Sequence, residues 1–335
     1  MRDLNGLRIA VTGATGFLGG HLLPLLLQAG AEVTCIVRPS SNTAALPERA
    51  RTATADLSSG RGLADALRGH DVLIHMAALL FGLSWQDYLK ANTQAAQSIC
   101  RALDGMGMPR KTILISSLSA TGPCSTAPGA ADDAPPAPVS AYGWSKLMVE
   151  RTFAAAYRGE LVTLRPPIIY GSGDRGLLPV FRGAARGIAV SPGLGRDFPV
   201  SCIHGRDMAR AILACLANDV RGVYHVSDGS IYTMEQFCRV MASALGRSHL
   251  RVLHVPLPVM ALTAAASTLW GAARAAVRGP ERAPNWNIDK YREAKQVGWV
   301  GDGSRLSRET GFAPGISLAE GMEEAVRGYR QRGWL

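Results

Sequence analysis

The sequence predicts an α/β fold in which a doubly wound parallel sheet is joined to a smaller, helix-rich C-terminal domain. Short apolar runs alternate with longer helical patterns through the first half of the chain, and a glycine-rich turn follows the first of these runs. The second half changes to helix-rich segments punctuated by Gly and Pro. Alternating strands and helices are typical of a parallel sheet that is covered by helices on both faces.

The apolar runs predict buried strands over residues 8–11, 33–37, 51–55, 72–75, 111–116, 162–165 and 223–226. Helical patterns lie between them, at about 17–29, 62–68, 87–106, 141–157 and 207–216. Near the end of the chain, Ser317 is followed three residues later by Glu320. This capping-box pattern predicts the start of the last helix.

Two interlocked domains follow from this pattern. We expect residues 1–173 and 201–228 to form the domain of the parallel sheet, and residues 174–200 and 229–335 to form the smaller domain. The smaller domain should cover the carboxyl edge of the sheet, where ligands bind in such folds. Residues 123–138 are rich in Pro and Ala and lack periodicity, and a loop of this length in a compact domain is often functional.

Composition narrows the classes of function. The chain has 335 residues, of which 47% are hydrophobic, so a large core is expected and disorder is not. A net charge of +10 favours an anionic partner. The basic residues are scattered, which argues against nucleic-acid binding. Six cysteines form no CxxC pair and seven histidines form no HxH or HExxH motif, so we expect buried thiols in a reducing cytoplasm and no metal site.

One uncharged stretch, residues 257–273, complicates a purely soluble interpretation. It is followed by Arg274 and Arg278, and it is slightly short for a spanning helix. We favour a helix that lines an apolar substrate pocket. The alternatives are a helix that rests on a membrane, which would make residues 257–278 a peripheral membrane contact, and a helix that spans the bilayer.

Gly13, Gly16 and Gly19 follow the first strand and open the first helix. Without side chains they allow a tight turn and the close approach of a pyrophosphate, and the helix N-terminus adds free N–H groups and a positive dipole. We therefore predict a dinucleotide site here. The predicted contacts in this turn also include Thr15, Phe17 and Leu18.

The end of the second strand indicates which nicotinamide cofactor binds. NAD(H) is usually held by an acidic residue about 20 residues beyond the glycines. Here Val37 is followed by Arg38, Ser40 and Ser41. A guanidinium pairs with a 2′-phosphate that a carboxylate would repel, so the sequence favours NADP(H) over NAD(H). The alternative is that Arg38 is only a solvated loop cation.

Two further strand ends are candidate cofactor contacts. Asp56 and Leu57 follow the third strand, where they would hold the adenine amino group. Ala77 and Ala78 follow the fourth strand, where small residues let the backbone approach the cofactor. Each pair has a local alternative role, in turn formation or in helix packing.

Tyr142 and Lys146 stand four residues apart and therefore share one face of a predicted helix. An ammonium beside a phenol lowers its pKa, and such a phenol exchanges a proton during hydride chemistry. Ser117 lies upstream, in the segment ISSLSATG. These three side chains are the candidate catalytic set.

The motifs occur in an order that resembles the extended short-chain dehydrogenase/reductase superfamily. They are TGATGFLGG, Asp56-Leu57, HMAA, Asn92, Ser117, Tyr142-x-x-x-Lys146, RPPIIYG, and GFAP followed by LAEG. The resemblance covers nearly the whole chain. It implies a Rossmann domain with a C-terminal substrate domain, and a homodimer formed through the helices near 87–106 and 141–157.

The resemblance also implies roles for single residues. Tyr142 would be the acid/base, and Lys146 the cation that lowers its pKa and holds the nicotinamide ribose. Asn92 would help to hold Lys146 through a backbone or water contact. Pro166 and Ile168, after the sixth strand, would pass under the nicotinamide carboxamide.

Ser117 would hydrogen-bond the reacting oxygen. We prefer it to Ser116 and Ser119 because it lies five residues before Gly122 and 25 residues before Tyr142, which are the offsets of the superfamily.

Three functions compete. The first is an NADP(H)-dependent oxidoreductase that interconverts a ketone and a secondary alcohol on a hydrophobic, steroid-, flavonoid- or β-keto acyl-like substrate. The second is a nucleotide-sugar epimerase or dehydratase, and the third a non-catalytic NADP-binding protein. Similar sugar dehydratases place an acid pair after the catalytic hydroxyl, whereas Leu118 and Ser119 follow Ser117. We favour the first, because the catalytic set is complete and apolar residues suit a hydrophobic substrate. These residues are Leu79, Leu80, Phe81, Trp85, Trp144, Met148 and Trp270.

Overall fold

A computed structural model describes residues 3–105, 108–278 and 283–335. Strands and helices alternate through its first half, as the sequence predicts. The strands of the described residues are β1 (Arg8–Thr12), β2 (Glu32–Val37), β3 (Arg51–Thr54), β4 (Val72–His75), β5 (Lys111–Ile115), β6 (Glu160–Arg165), β7 (Ile168–Tyr170), β8 (Ile188–Pro192), β9 (Pro199–Val200), β10 (Cys202–His204), β11 (Gly222–His225), β12 (Tyr232–Thr233) and β13 (Arg251–Val255).

The α-helices differ widely in length, and the longest lies in the C-terminal part. They are α1 (Phe17–Gln28), α2 (Leu63–Leu67), α3 (Trp85–Tyr88), α4 (Gln94–Asp104), α5 (Ala141–Ala156), α6 (Leu178–Ala185), α7 (Gly205–Ala217), α8 (Met234–Ala244), α9 (Leu257–Arg278), α10 (Ile288–Ala294), α11 (Ser304–Thr310) and α12 (Leu318–Gln331). A π-helical turn, Leu89–Thr93, joins α3 to α4, and a 3-10 turn, Leu118–Ala120, follows β5.

The central sheet has seven parallel strands in the order β11-β6-β5-β4-β1-β2-β3. Because β1 lies between β2 and β4, the chain moves outward from β1 in both directions. Such a reversal opens a crevice at the carboxyl ends of the strands, where ligands of these folds bind. The predicted doubly wound α/β fold is therefore confirmed.

Side chains of the sheet alternate between two cores, one on each face. Ile9 and Val11 of β1 join a buried cluster with α1 and α7. Ala10, between them, joins a second cluster with α2, α4 and α5. This alternation is the two-residue period of a strand that is buried on both faces.

A third apolar cluster lies in the C-terminal part and joins α6, α8 and α12 around Tyr170 and Tyr329. By contrast, Leu306 of α11 packs in the first cluster, against the sheet. The division into residues 1–173 with 201–228, and 174–200 with 229–335, stays a prediction. The strands β7, β8, β9, β10, β12 and β13 were not predicted. They pair two by two outside the central sheet, and long-range pairing of this kind leaves no pattern in the local sequence.

The predicted helix 87–106 begins two residues earlier, at Trp85, because Ser84 and Asp87 form a capping box. Its described part ends at Asp104, and the predicted end at residue 106 lies outside the described residues. In the described part of the chain, no helix, α9 included, is both long and apolar enough to cross a bilayer.

Candidate active site

Most of the predicted site residues are brought to one edge of the sheet by its parallel strands. Gly13 follows β1, Ala77 and Ala78 follow β4, and Ser117 follows β5. Since these strands are neighbours with their carboxyl ends aligned, residues far apart in sequence meet above the crevice.

Backbone packs directly on backbone at the first turn. Gly13 has φ +75°, and a Cβ added there would lie 2.7 Å from the backbone N of Ala77. The Thr12 Oγ1 atom accepts a hydrogen bond from Ala77 N at 3.3 Å and lies 2.7 Å from His75 Nδ1. The turn after β1 and the end of β4 are thus joined, and only glycine fits between them.

The start of α1 suits a pyrophosphate. Gly16 is its N-cap residue and supplies no side-chain cap, so the first N–H groups of α1 remain available to an anion. A Cβ at Gly19 would lie 2.0 Å from Ala14 O, so this glycine lets helix and turn pack closely. Thr15 is exposed, and Phe17 and Leu18 form the first helical turn.

A cavity of about 110 Å³ lies beside this turn. It is lined on one side by the glycine turn and on the other by a loop that includes Asn42, Leu46 and Pro47. This loop was not predicted to take part in the site, since it has neither periodicity nor a motif.

At the end of β2, Arg38 and Ser40 are exposed. The Ser41 backbone N donates to Arg38 O at 3.0 Å, and the Arg38 backbone N donates to Ser41 Oγ at 3.2 Å. These bonds close a tight turn that leaves the guanidinium at the surface. The turn therefore holds an exposed cation at the carboxyl end of β2.

After β3, the Asp56 carboxylate closes a turn of its own. It accepts hydrogen bonds from the Ser59 hydroxyl and the Ser58 backbone N, each at 2.9 Å, and these bonds lower the pKa of Asp56. Leu57 packs against the second core cluster. This is the local role considered as the alternative for this pair, and an adenine contact stays a prediction.

Of the three neighbouring serines, the structure places Ser117 beside Tyr142. The Ser117 side chain acts on the Tyr142 phenol and lowers its pKa. Ser116 instead donates its hydroxyl to buried Glu150. Ser119 lies in the middle of the 3-10 turn, and its backbone N donates to Ser117 Oγ at 3.1 Å.

The side chain of Lys146 is anchored to the central sheet. Its Nζ donates to the carbonyl oxygen of Ile115 at 2.6 Å. Burial lowers the pKa of Lys146 to about 8, and the nearby carboxylate of Glu150 opposes that shift. The ammonium is thereby fixed between α5 and the end of β5.

Asn92 lies close by and is hydrogen-bonded to neighbouring elements. Its Oδ1 accepts from Leu79 N at 2.7 Å, and its Nδ2 donates to Leu79 O at 3.2 Å and to Ser145 Oγ at 2.9 Å. Asn92 therefore fastens the loop after β4 to α5 beside Lys146, and a water contact to Lys146 stays a prediction. The π-helical turn that contains Asn92 places the amide there.

Lys290, the cation that faces Tyr142, was not predicted from the sequence. Lys290 of α10 places Nζ 4.5 Å from the centre of the Tyr142 ring. Burial raises the pKa of Tyr142, and the charge of Lys290 and then the Ser117 side chain oppose that rise. The ammonium of Lys146 is directed to the carbonyl oxygen of Ile115, and its effect on the Tyr142 pKa stays a prediction. No spacing pattern links residue 290 to residue 142.

After β6, the Pro166 carbonyl oxygen accepts from Leu118 N at 2.8 Å, and Ile168 opens β7. Leu79 packs with the buried side chains of Tyr88, Ala141 and Tyr142. Several large apolar side chains of the predicted substrate surface are exposed instead of buried: Leu80, Trp85, Trp144 and Trp270.

The cysteines are all free thiols. Within the described ranges, no group of three or more His, Cys, Asp or Glu side chains is arranged to hold a metal ion.

Comparison with known proteins gives matches along most of the chain. The model of a family described as "NAD dependent epimerase/dehydratase family" matches residues 9–227. "Ceramide reductase" of Caulobacter vibrioides is 29% identical over 331 residues, which are 98% of this chain and 96% of that protein. "Sterol demethylase protein B" of Methylococcus capsulatus is 28% identical and covers 97% and 99% of the two chains.

Among solved structures, the dTDP-glucose 4,6-dehydratase DesIV of Streptomyces venezuelae, with NAD and TYD bound, has a TM-score of 0.76. It is 23% identical, with 98% of both chains covered. At this level of identity the likeness concerns the fold.

Proposed function

The chain belongs to the NAD dependent epimerase/dehydratase family, as its motifs suggested, and from this we propose that it is an NADP(H)-dependent oxidoreductase. Its reaction interconverts a ketone and a secondary alcohol on a hydrophobic substrate. The observation that carries the proposal is that Ser117, after β5, meets Tyr142, in the first turn of α5, at the sheet edge that also holds the glycine turn. This arrangement supports a proton donor beside a dinucleotide cleft.

In the proposed reduction, Ser117 donates a hydrogen bond to the substrate carbonyl oxygen and orients it. Tyr142 then gives its phenolic proton to that oxygen as the carbonyl carbon is reduced. The nicotinamide cofactor, when bound, supplies the hydride. Lys146, held by Ile115 O, keeps a positive charge at the floor of the cleft. In the oxidative direction the same groups act in reverse, with Tyr142 as the base.

The glycine turn would hold the pyrophosphate, with Gly13, Gly16 and Gly19 giving access to the N-terminus of α1. Arg38 supports the choice of NADP(H), because its exposed guanidinium stands where a 2′-phosphate would be bound. The family description and the solved relative name NAD. The preference for the phosphorylated cofactor is therefore the part of the proposal that depends on Arg38.

A hydrophobic substrate is supported by two matched relatives whose names refer to ceramide and sterol chemistry. It is also supported by apolar side chains near Tyr142, such as Leu79. The nucleotide-sugar alternative is less favoured. The residue after Ser117 is the buried Leu118, at the position where similar dehydratases carry an acid.

We also propose the predicted partners. A homodimer would form through α4 and α5, and a cytoplasmic location fits the free thiols. Peripheral membrane contact would use residues 257–278, where Leu262, Leu269 and Trp270 are exposed and acidic residues are lacking.

A panel of carbonyl compounds tests the proposed reaction. Purified protein is mixed with NADPH or NADH and with steroid, flavonoid, β-keto acyl or UDP- and GDP-sugar substrates, and absorbance of the reduced cofactor is followed. We expect net oxidation of NADPH with at least one hydrophobic ketone. Turnover of sugars alone, without net cofactor oxidation, would refute the proposal in favour of an epimerase.

A further inference from the structure

One charged helix of the C-terminal part, α10, packs on the first turn of α5. Its Asp289 accepts hydrogen bonds from the backbone N of Ala141 at 2.6 Å and of Tyr142 at 3.1 Å. Its Glu293 accepts from the hydroxyl of Ser140, the N-cap residue of α5, at 2.7 Å. The turn that carries Tyr142 is therefore fixed by carboxylates from a segment almost 150 residues away.

Lys290 lies between these two carboxylates in sequence and is half-buried. Its Nζ donates to Glu293 Oε2 at 2.8 Å and stands 4.5 Å from the ring centre of Tyr142 and 5.5 Å from that of Phe81. An ammonium at this distance from a phenol interacts more strongly with the phenolate than with the neutral ring, since the phenolate carries a full charge. Its orientation is fixed by Glu293 and by the cap of α10 at Asn287.

We infer that Lys290 is a positioning residue of the proposed reaction, whose ammonium stabilises the phenolate form of Tyr142. This inference rests on the proposed function, in which Tyr142 gives up its proton. It means that the acid/base unit spans both halves of the chain: Ser117, Tyr142 and Lys146 come from the sheet domain, and Lys290 from α10.

The sign of the effect follows from the charges around the phenol. The groups that act on Tyr142 from the elements packed against it include Tyr88 on α3, whose ring faces it, and Asp289, Lys290 and Glu293 on α10; Lys146 lies one turn along its own helix. Burial raises the pKa of Tyr142, the Lys290 charge lowers it, and the Glu293 charge raises it. Removing the cation should therefore raise this pKa, and removing the Glu293 charge should lower it.

The test measures the ionisation of Tyr142 directly and does not require turnover of a substrate. The eight tyrosines are replaced biosynthetically by 3-fluorotyrosine, which ionises at lower pH, and fluorine NMR spectra are recorded against pH. The Tyr142 resonance is the one that Tyr142→Phe lacks. The variants are Lys290→Met, Lys290→Arg and Glu293→Gln. Lys295→Met is the matched control, because exposed Lys295 stacks 6.0 Å from another tyrosine, Tyr291.

We expect Lys290→Met to move the Tyr142 midpoint upward by about one pH unit or more. Lys290→Arg should restore most of that change, Glu293→Gln should move the midpoint downward, and Lys295→Met should leave it unchanged. A general loosening of α10 would move the Tyr142 midpoint in the same direction in Lys290→Met and Glu293→Gln. Opposite shifts of the midpoint therefore exclude that explanation. Overlapping curves for Lys290→Met and the parent would overturn the inference.

The same variants are then assayed for alcohol oxidation, where the base form of Tyr142 is needed. Lys290→Met should lower kcat at neutral pH about tenfold, with the pH profile displaced to higher pH and the KM for the cofactor unchanged. If Lys290→Met moves the fluorine titration but leaves the pH profile of kcat in place, the inferred role in the reaction is wrong. If no alcohol or ketone is turned over at all, the proposed function fails while the titration still reports on Lys290.

Discussion

The Nζ atom of Lys146 donates a hydrogen bond to the carbonyl oxygen of Ile115 at 2.6 Å. Ile115 is the last residue of β5, and Ser116 and Ser117 follow it directly. The cation of α5 and the serine of the candidate catalytic set are thus anchored at a single strand end. This arrangement buries an ammonium almost completely, which has a cost in stability.

Replacing that ammonium should stabilise the protein at neutral pH. The pKa of Lys146 is lowered by burial from 10.5 to about 8. Below pH 8 both the folded and the unfolded chain carry the charge, so folding bears the full penalty, roughly 3 kcal/mol. Between pH 8 and 10.5 the folded form loses its proton first, and the penalty fades as pH rises. We therefore expect Lys146→Met to be more stable than the parent at pH 7, with a smaller difference at pH 9.5.

Denaturant unfolding of both proteins at the two pH values measures this difference. Ionisation of other groups cancels in the comparison, and exposed Lys295→Met serves as the control for loss of a lysine charge. A Lys146→Met variant less stable than the parent at pH 7 would mean that the bond to Ile115 outweighs the cost of burial.

Tyr142→Phe should separate proton transfer from cofactor binding. The change removes the phenolic hydroxyl and keeps the ring that packs with Tyr88, 6.1 Å away between centroids. We expect kcat to fall about a hundredfold or more, while the Kd for NADPH, measured by fluorescence titration, stays unchanged. Retention of most of the parent kcat would exclude Tyr142 as the proton donor.

Arg38→Asp tests the cofactor preference. An exposed guanidinium pairs with a 2′-phosphate, and a carboxylate repels it. Loss of a charge-assisted pair is worth about 1.5–3 kcal/mol, so we expect NADPH to bind about tenfold more weakly or worse. NADH, which lacks that phosphate, is the internal control and should lose no affinity. Equal losses for both cofactors would assign Arg38 to the turn it forms with Ser41.

The parts of the fold that could be predicted are those with a strong local period or motif. The seven strands of the central sheet and the helices after Gly16 and Ser140 follow from apolar runs and from the cap positions before α1 and α5. Ser117 was distinguishable from its neighbours by its offset from Tyr142. In the structure, Ser116 is the serine that turns toward the core carboxylate of Glu150.

The unpredicted parts depend on long-range packing. Lys290 reaches Tyr142 only because Asp289 and Glu293 dock α10 on the end of α5, and nothing in its own segment indicates that contact. Asn92 is similar, since its partners Leu79 and Ser145 come from other elements. Strands of two or three residues, such as β9 and β12, are formed by pairing rather than by local preference.

A buried ion pair beneath the site should be important for stability. Arg165 Nη2 lies 2.6 Å from Glu150 Oε2, with side chains 6% and 8% exposed. Arg165→Met leaves the carboxylate buried without its partner, which typically costs about 3–5 kcal/mol. The exposed pair of Arg239 and Glu235 is the control, and Arg239→Met should cost less than about 1 kcal/mol. In denaturant unfolding, equal effects of the two variants would contradict this prediction.

Gly13 and Gly20 lie seven residues apart and should respond to alanine in opposite ways. Gly13 has φ +75°, and its added Cβ would lie 2.7 Å from Ala77 N, a backbone atom that cannot move without disturbing β4. Gly13→Ala should therefore lower the midpoint of thermal unfolding and weaken NADPH binding.

Gly20 lies inside α1, and an added Cβ there meets no heavy atom within 4 Å. Gly20→Ala should stabilise the protein by about 0.5–1 kcal/mol, because alanine loses less backbone freedom on forming a helix. If both variants were destabilised alike, the turn would be sensitive to any added methyl group, and the backbone contact at Gly13 would not be the cause.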